Sequence, residues 1–97
     1  MRKLSVTPFP DHSTVVSPED IGALVRAVRT ASGMTLEEAA LTVQVAKQTW
    51  QNLEKGKGTV SLALAFKVLT GLGIRLRWQA PEGTNPETRN KDVSDAS

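Results

Sequence analysis

The chain has 97 residues, 39% of them hydrophobic and 23% charged, with a formal net charge of +2 and no cysteine. That length holds one small domain with tails, and the missing thiols exclude both a disulfide framework and a thiolate metal site. No apolar run nears the roughly 18 residues of a membrane span, and Arg2 and Lys3 are not followed by the apolar stretch of a signal peptide, so a cytoplasmic protein is expected.

The small net charge hides an uneven distribution. Residues 17–79 carry eight Lys/Arg against five Asp/Glu, whereas residues 80–97 carry two against four. Between Ala46 and Arg77 there are six basic residues and one acid, Glu54. A locally basic segment suits a polyanion, because each phosphate it neutralises releases counterions.

Residues 1–16 contain Pro8, Pro10 and a β-leaning Leu4–Thr7 run without helical period, and are expected to form an extended arm or short edge strand. The single histidine, His12, lies here between Asp11 and Ser13 and reads as a solvated loop side chain. Ser17-Pro18-Glu19-Asp20 then opens a helix, with Ser as N-cap, Pro at the first helical position and acids in the first turn. Ile21, Leu24, Val25 and Val28 give its apolar stripe, Arg26 and Arg29 fall off that stripe, and Gly33 is a natural C-cap.

The next stretch organises the chain. Thr35 and Glu38 form a capping box, and Leu36, Ala39, Ala40 and Val43 fall at i, i+3, i+4 and i+7, one face of a second helix. Thr42–Val45 breaks the period, and a third helix begins near Ala46. Ala46, Trp50 and Leu53 share one side of it; Lys47, Gln48, Gln51 and Lys55 share the other. Gln presents a donor and an acceptor together to the major-groove edge of adenine, and Lys serves guanine or a phosphate. The same stripe is also what an ordinary solvated helix face looks like. Trp50 reads as core, with an indole N–H that needs a partner.

Lys55-Gly56-Lys57-Gly58 reads either as a helix stop or as a turn whose amides meet phosphate. Ser61 caps a fourth helix with Leu62, Ala65, Phe66 and Leu69 expected on its inner face, closed by Gly71 and Gly73. The period then changes to two: Ile74, Leu76 and Trp78 point one way and Arg75, Arg77 and Gln79 the other, as in a strand with one apolar face. A strand needs a ladder partner, which is either a second copy of itself or the Leu4–Thr7 arm. Residues 80–97 hold too little apolar surface to offset their ordering entropy and are expected to be a disordered tail.

A core of about 60 residues without staples supplies only about 3–5 kcal/mol. Pairing the terminal strand with its twin adds a second core and builds a two-fold dimer through Ile74, Leu76 and Trp78. Such a dimer sets two reading helices about 34–36 Å apart, in successive major grooves.

The run Ile21–Gly73 resembles the Xre/Cro (λ-repressor-like) helix-turn-helix family. The likeness is carried by Arg29…Gly33-Met34-Thr35, Glu38-Ala39-Ala40, Val43-x-Val45, Lys47-Gln48-Thr49-x-x-Asn52-Leu53-Glu54-Lys55-Gly56, Ser61-Leu62 and Phe66…Leu69…Leu72-Gly73. The immediate Ile74–Gln79 strand and short tail are similar to HipB-type antitoxins. The resemblance implies an all-α fold of four to five helices spanning residues 17–79, with the C-terminal strand pairing across a dimer. It implies base reading by Ala46, Lys47, Gln48 and Gln51, and backbone contacts by Thr35, Thr49, Asn52, Lys55 and Lys57. It further implies a HipA-like serine/threonine kinase toxin as partner of a repressor that silences its own operon.

Two departures stand out. Leu36 occupies a place where the family commonly has Gln, which removes one phosphate clamp, and Ala46 replaces a Ser or Thr cap. Competing readings are a stand-alone or phage-type regulator without a toxin, and a protein-interaction module that binds no DNA. An enzyme is disfavoured: there is one loop histidine, no metal-ligand cluster, no phosphate-cradling glycine motif and no implied cofactor, and Glu37-Glu38 is explained by capping.

Overall fold

Helix α1 starts where Ser17 accepts a hydrogen bond from the Asp20 backbone N–H and Pro18 supplies a preset φ; it runs Pro18–Ala31 in the computed structural model, which describes residues 8–9 and 14–83. The Leu4–Thr7 arm, His12 and the chain from residue 84 onward lie outside the described residues. Three further helices follow: α2 Leu36–Val43, α3 Lys47–Glu54 and α4 Leu62–Gly71. Each has the start its sequence announces. Both halves of the Thr35/Glu38 capping box form, and Ser61 accepts from the Leu64 N–H, while Ala46 at the start of α3 makes no side-chain cap.

The helix ends are equally local in origin. Gly33, Gly56 and Gly73 all have φ near +75°, at 76°, 75° and 76°. After α1, α3 and α4 the chain closes by paired bonds, as in Gly56 N–H to Leu53 C=O at 3.0 Å and Lys57 N–H to Asn52 C=O at 3.0 Å. This is the Schellman arrangement, in which a left-handed residue lets two terminal carbonyls be satisfied. Gly56 is therefore a helix stop, and its amide and that of Lys57 are spent on the cap rather than offered to phosphate. The tight turn between α2 and α3 uses a non-glycine residue, Gln44, at φ 63°. Its carbonyl accepts from Lys67 Nζ at 3.1 Å, tying the turn to α4.

The core is Val25, Ala39, Ala40, Val45, Trp50, Leu53, Val68 and Leu69. Ile21, Leu36, Val43, Ala65, Leu72 and Ile74 pack against it from the rim. The small residues Ala39 and Ala40 let α2 approach closely, and Trp50 fills the space that remains. Gly22 in α1 serves the same end: a Cβ there would stand 2.5 Å from the Leu53 carbonyl oxygen and 2.6 Å from that of Glu54. The α1 backbone thus lies directly on the C-terminal end of α3.

One expectation for the helices needs correction. Leu62 and Phe66 are exposed rather than inward, at 73% and 47%, and the inner face of α4 is formed by Val68 and Leu69. Ala65 and Leu69 face the core as expected; the inward stripe is Ala65, Val68, Leu69 and Leu72, at i, i+3, i+4 and i+7, so Leu62 and Phe66 fall at its edge. Arg29, which falls off the apolar stripe of α1, is nonetheless only 7% exposed. Among the described residues of the single chain there are four helices and no strand; residues 74–79, whose expected ladder partner is a second copy or the Leu4–Thr7 arm, run without a ladder. Ile74 belongs to the core rim of its own chain, while Leu76 and Trp78 are 40% and 77% exposed.

Candidate nucleic-acid interface

Helix α3, with its polar stripe, is held from behind by one buried carboxylate. Glu54 accepts from Arg29 Nε at 2.6 Å, from Arg29 Nη2 at 3.0 Å and from the Trp50 indole Nε1 at 2.7 Å. The remaining reach of the guanidinium goes to the Met34 carbonyl at 2.9 Å. A bidentate Arg–carboxylate pair fixes geometry as well as energy, and here it joins α1, the α1–α2 turn and the end of α3. The indole N–H that needed a partner has one. Sequence reading missed this group, although Glu54 was the single acid in a basic stretch, which was a signal.

With Trp50 and Leu53 buried, the opposite side of α3 faces outward. Lys47 and Gln48 are exposed at its start; Ala46, expected on the side of Trp50 and Leu53, is exposed as well, because it precedes the first helical residue, and Gln51 is half-buried one turn on. Lys55 and Lys57 are exposed where α3 ends; Thr49 and Asn52 are half-buried on its flanks. Thr35 is half-buried too, and its hydroxyl and amide are both engaged in the α2 capping box. That box depresses the Glu38 pKa, chiefly through the Thr35 backbone N–H and then through the Thr35 hydroxyl. Residues expected to read bases are therefore brought together on α3, and Thr35 stands apart from them at the start of α2.

Two of the side chains expected to read bases have partners within the chain. Gln48 Nε2 donates to Asn52 Oδ1 at 3.1 Å, one turn along the helix. Lys47 Nζ donates to Glu37 Oε2 at 3.2 Å, across the turn from α2. Asn52 thus orients the Gln48 carboxamide and leaves its own N–H groups for an acceptor. Among the described residues no cluster of His, Cys, Asp or Glu could hold a metal, and no helix is long and apolar enough to cross a membrane. The groups on this face are donors, acceptors and cations suited to a nucleic-acid groove.

The comparisons with known proteins agree. A family model described as helix-turn-helix matches residues 25–79. An uncharacterized HTH-type transcriptional regulator, y4mF, of Sinorhizobium fredii (strain NBRC 101917 / NGR234) is 36% identical over 67 residues, covering 69% of this chain and 88% of that protein. Among solved structures, a HipB–O4 20mer complex superposes with a TM-score of 0.65 at 22% identity, covering 73% of this chain and all (100%) of that one. A HipA–HipB–O2–O3 complex gives the same TM-score, 0.65, at 22% identity, with 73% and 100% coverage. At that identity the structures speak for the fold, whereas the family match spans over half of the chain. The four helices, the outward face of α3 and these matches together place the chain in the Xre/Cro-type helix-turn-helix family of DNA-binding transcription regulators.

Proposed function

We propose that this chain is a dimeric, sequence-specific repressor that reads operator DNA with the outer face of α3. The observation that carries the reading is the exposure of Lys47 and Gln48 at the first turn of α3, opposite the buried Trp50 and Leu53. Ala46, Lys47, Gln48 and Gln51 meet base edges, while Thr49, Asn52, Lys55 and Lys57 hold the backbone, and Thr35 supports it from α2. Phosphate contacts position such a helix, and base contacts specify the site. Leu76 and Trp78 are large apolar side chains left exposed in the single chain, Trp78 the more so. Pairing residues 74–79 with the same segment of a second copy buries them, gives the segment a ladder, and spaces two α3 helices for successive major grooves.

We further assign the dimer the role of antitoxin in a HipBA-like module, with a HipA-like serine/threonine kinase as the protein it restrains. The support is that the likeness to HipB spans the full length of those chains, and that one of the solved assemblies holds HipA, HipB and DNA together.

The test starts with selection of a duplex from a random-sequence library by the wild-type protein. Fluorescence anisotropy on the selected and a scrambled duplex then compares wild type with Gln48→Ala and Gln51→Ala. Each variant is expected to lose about 1–3 kcal/mol of preference for the selected sequence; an equal loss on both duplexes refutes base reading. Removing residues 74–97 is expected to give a monomer with weak operator binding. A truncated protein that still elutes as a dimer refutes the strand pairing. Recovery of a kinase with the native protein supports the antitoxin role, and a native complex without one returns the chain to a stand-alone regulator.

A further inference from the structure

The acid pair that opens α2 divides into two different tasks. Glu38 is spent on the capping box, accepting the Thr35 N–H at 2.8 Å. Glu37 takes no part in the cap. It turns instead across the helix-turn-helix corner and accepts from Lys47 Nζ at 3.2 Å. The two side chains are 65% and 62% exposed, so the pair lies open on the surface that faces the groove. An ion pair this exposed contributes little stability. A carboxylate on a surface meant for a polyanion also costs affinity for any phosphate it approaches. The dipole of α2 favours an acid in its first turn, where Glu37 and Glu38 both stand. Neither that nor the cap, which Glu38 alone completes, accounts for the reach of Glu37 across the corner to Lys47.

Base-edge chemistry does account for it. A lone Lys ammonium is a point charge that a phosphate satisfies as well as a base does. Paired with Glu37, its charge is locally cancelled, and what remains is a donor and an acceptor side by side. A G·C pair presents the matching set in the major groove: the guanine O6 and N7 accept, and the cytosine N4 amino group beside them donates. From this juxtaposition we propose that Glu37 is a specificity-determining residue of the interface, withholding Lys47 from the DNA backbone and directing the two side chains together onto one G·C pair. The proposal rests on the reading of α3 as the recognition helix.

Glu37→Gln is the test, because it keeps the side-chain length and leaves the Glu38 cap intact. Binding of wild type, Glu37→Gln, Lys47→Ala and the double variant is measured on a duplex selected by the wild type and on a scrambled duplex, over a range of salt. Glu37→Gln is expected to bind the scrambled duplex more tightly, with a salt slope steeper by about 0.9. Its preference for the selected duplex is expected to fall about fivefold or more. In the Lys47→Ala background the same substitution is expected to change the salt slope little, since there is no ammonium left to release. An unchanged preference and slope in Glu37→Gln overturns the assignment while leaving base reading by Gln48 and Gln51 intact. Failure of the wild type to enrich any sequence overturns both.

Discussion

Removing the Glu54 carboxylate tests how the recognition helix is held. Its two oxygens take three donors, Arg29 Nε, Arg29 Nη2 and Trp50 Nε1, within 3.0 Å. The Arg29 and Glu54 side chains are each 8% exposed. Glu54→Ala leaves the guanidinium with the Met34 carbonyl alone and the buried indole N–H with no acceptor. Breaking a buried pair from one side costs about 3–5 kcal/mol, because the surviving charge stays desolvated. An unstapled core of this size supplies about the same amount, so the variant is expected to be largely unfolded at 25 °C.

Glu54→Gln keeps the volume and one acceptor oxygen but loses the charge, and is expected to cost about 1.5–3 kcal/mol. Urea unfolding followed by far-UV circular dichroism, at one fixed protomer concentration, gives both numbers. An Arg29→Met/Glu54→Leu double variant is expected to regain most of the loss, since an apolar replacement leaves no buried charge. A Glu54→Ala protein within about 1 kcal/mol of wild type would falsify the claim that this pair anchors α3.

Gly22→Ala drives a Cβ into the carbonyls of Leu53 and Glu54, which are backbone atoms and cannot rotate away. It is expected to destabilise by about 1–3 kcal/mol or more, against a slight gain at an open helix position; a stabilised variant on the same urea assay refutes the contact. Lys55→Ala is expected to flatten the salt dependence of DNA binding by about 0.9 on selected and scrambled duplexes alike. An unchanged slope removes Lys55 from the phosphate-contacting set. Because the folded Glu38 pKa is depressed by its Thr35 partners, the capping box stabilises the fold at neutral pH, and this contribution fades as pH falls through that depressed value. Glu38→Gln is expected to be less stable than wild type at neutral pH, with the gap closing in acid; urea midpoints that run parallel across the acid range contradict the assignment.

Much of the fold was legible in the residues because its signals are local. Ser17, Thr35 and Ser61 satisfy amides within their own first turns, and Gly33, Gly56 and Gly73 adopt a φ that other residues resist. The apolar face of α2 and the burial of Trp50 and Leu53 also followed from spacing alone. The outward stripe on α3 was readable for the same reason, since burying one side of a short helix exposes the other. What failed was the choice between equivalent faces. On α4, Ala65 and Leu69 are shared by two overlapping stripes, and only packing decided that Val68 and Leu72 complete the inward one in place of Leu62 and Phe66.

Composition, capping and period thus determined which segments are helical, where each stops, and that Lys47, Gln48 and Lys55 are offered to solvent opposite Trp50. They act within one or two turns of chain, where distance in sequence and distance in space are the same thing. The tertiary structure decided the rest: that Arg29 turns inward to Glu54, that Gly22 must carry no side chain, and that Glu37 meets Lys47 across the turn. Each of these joins residues from different helices, and their meeting depends on how those helices cross.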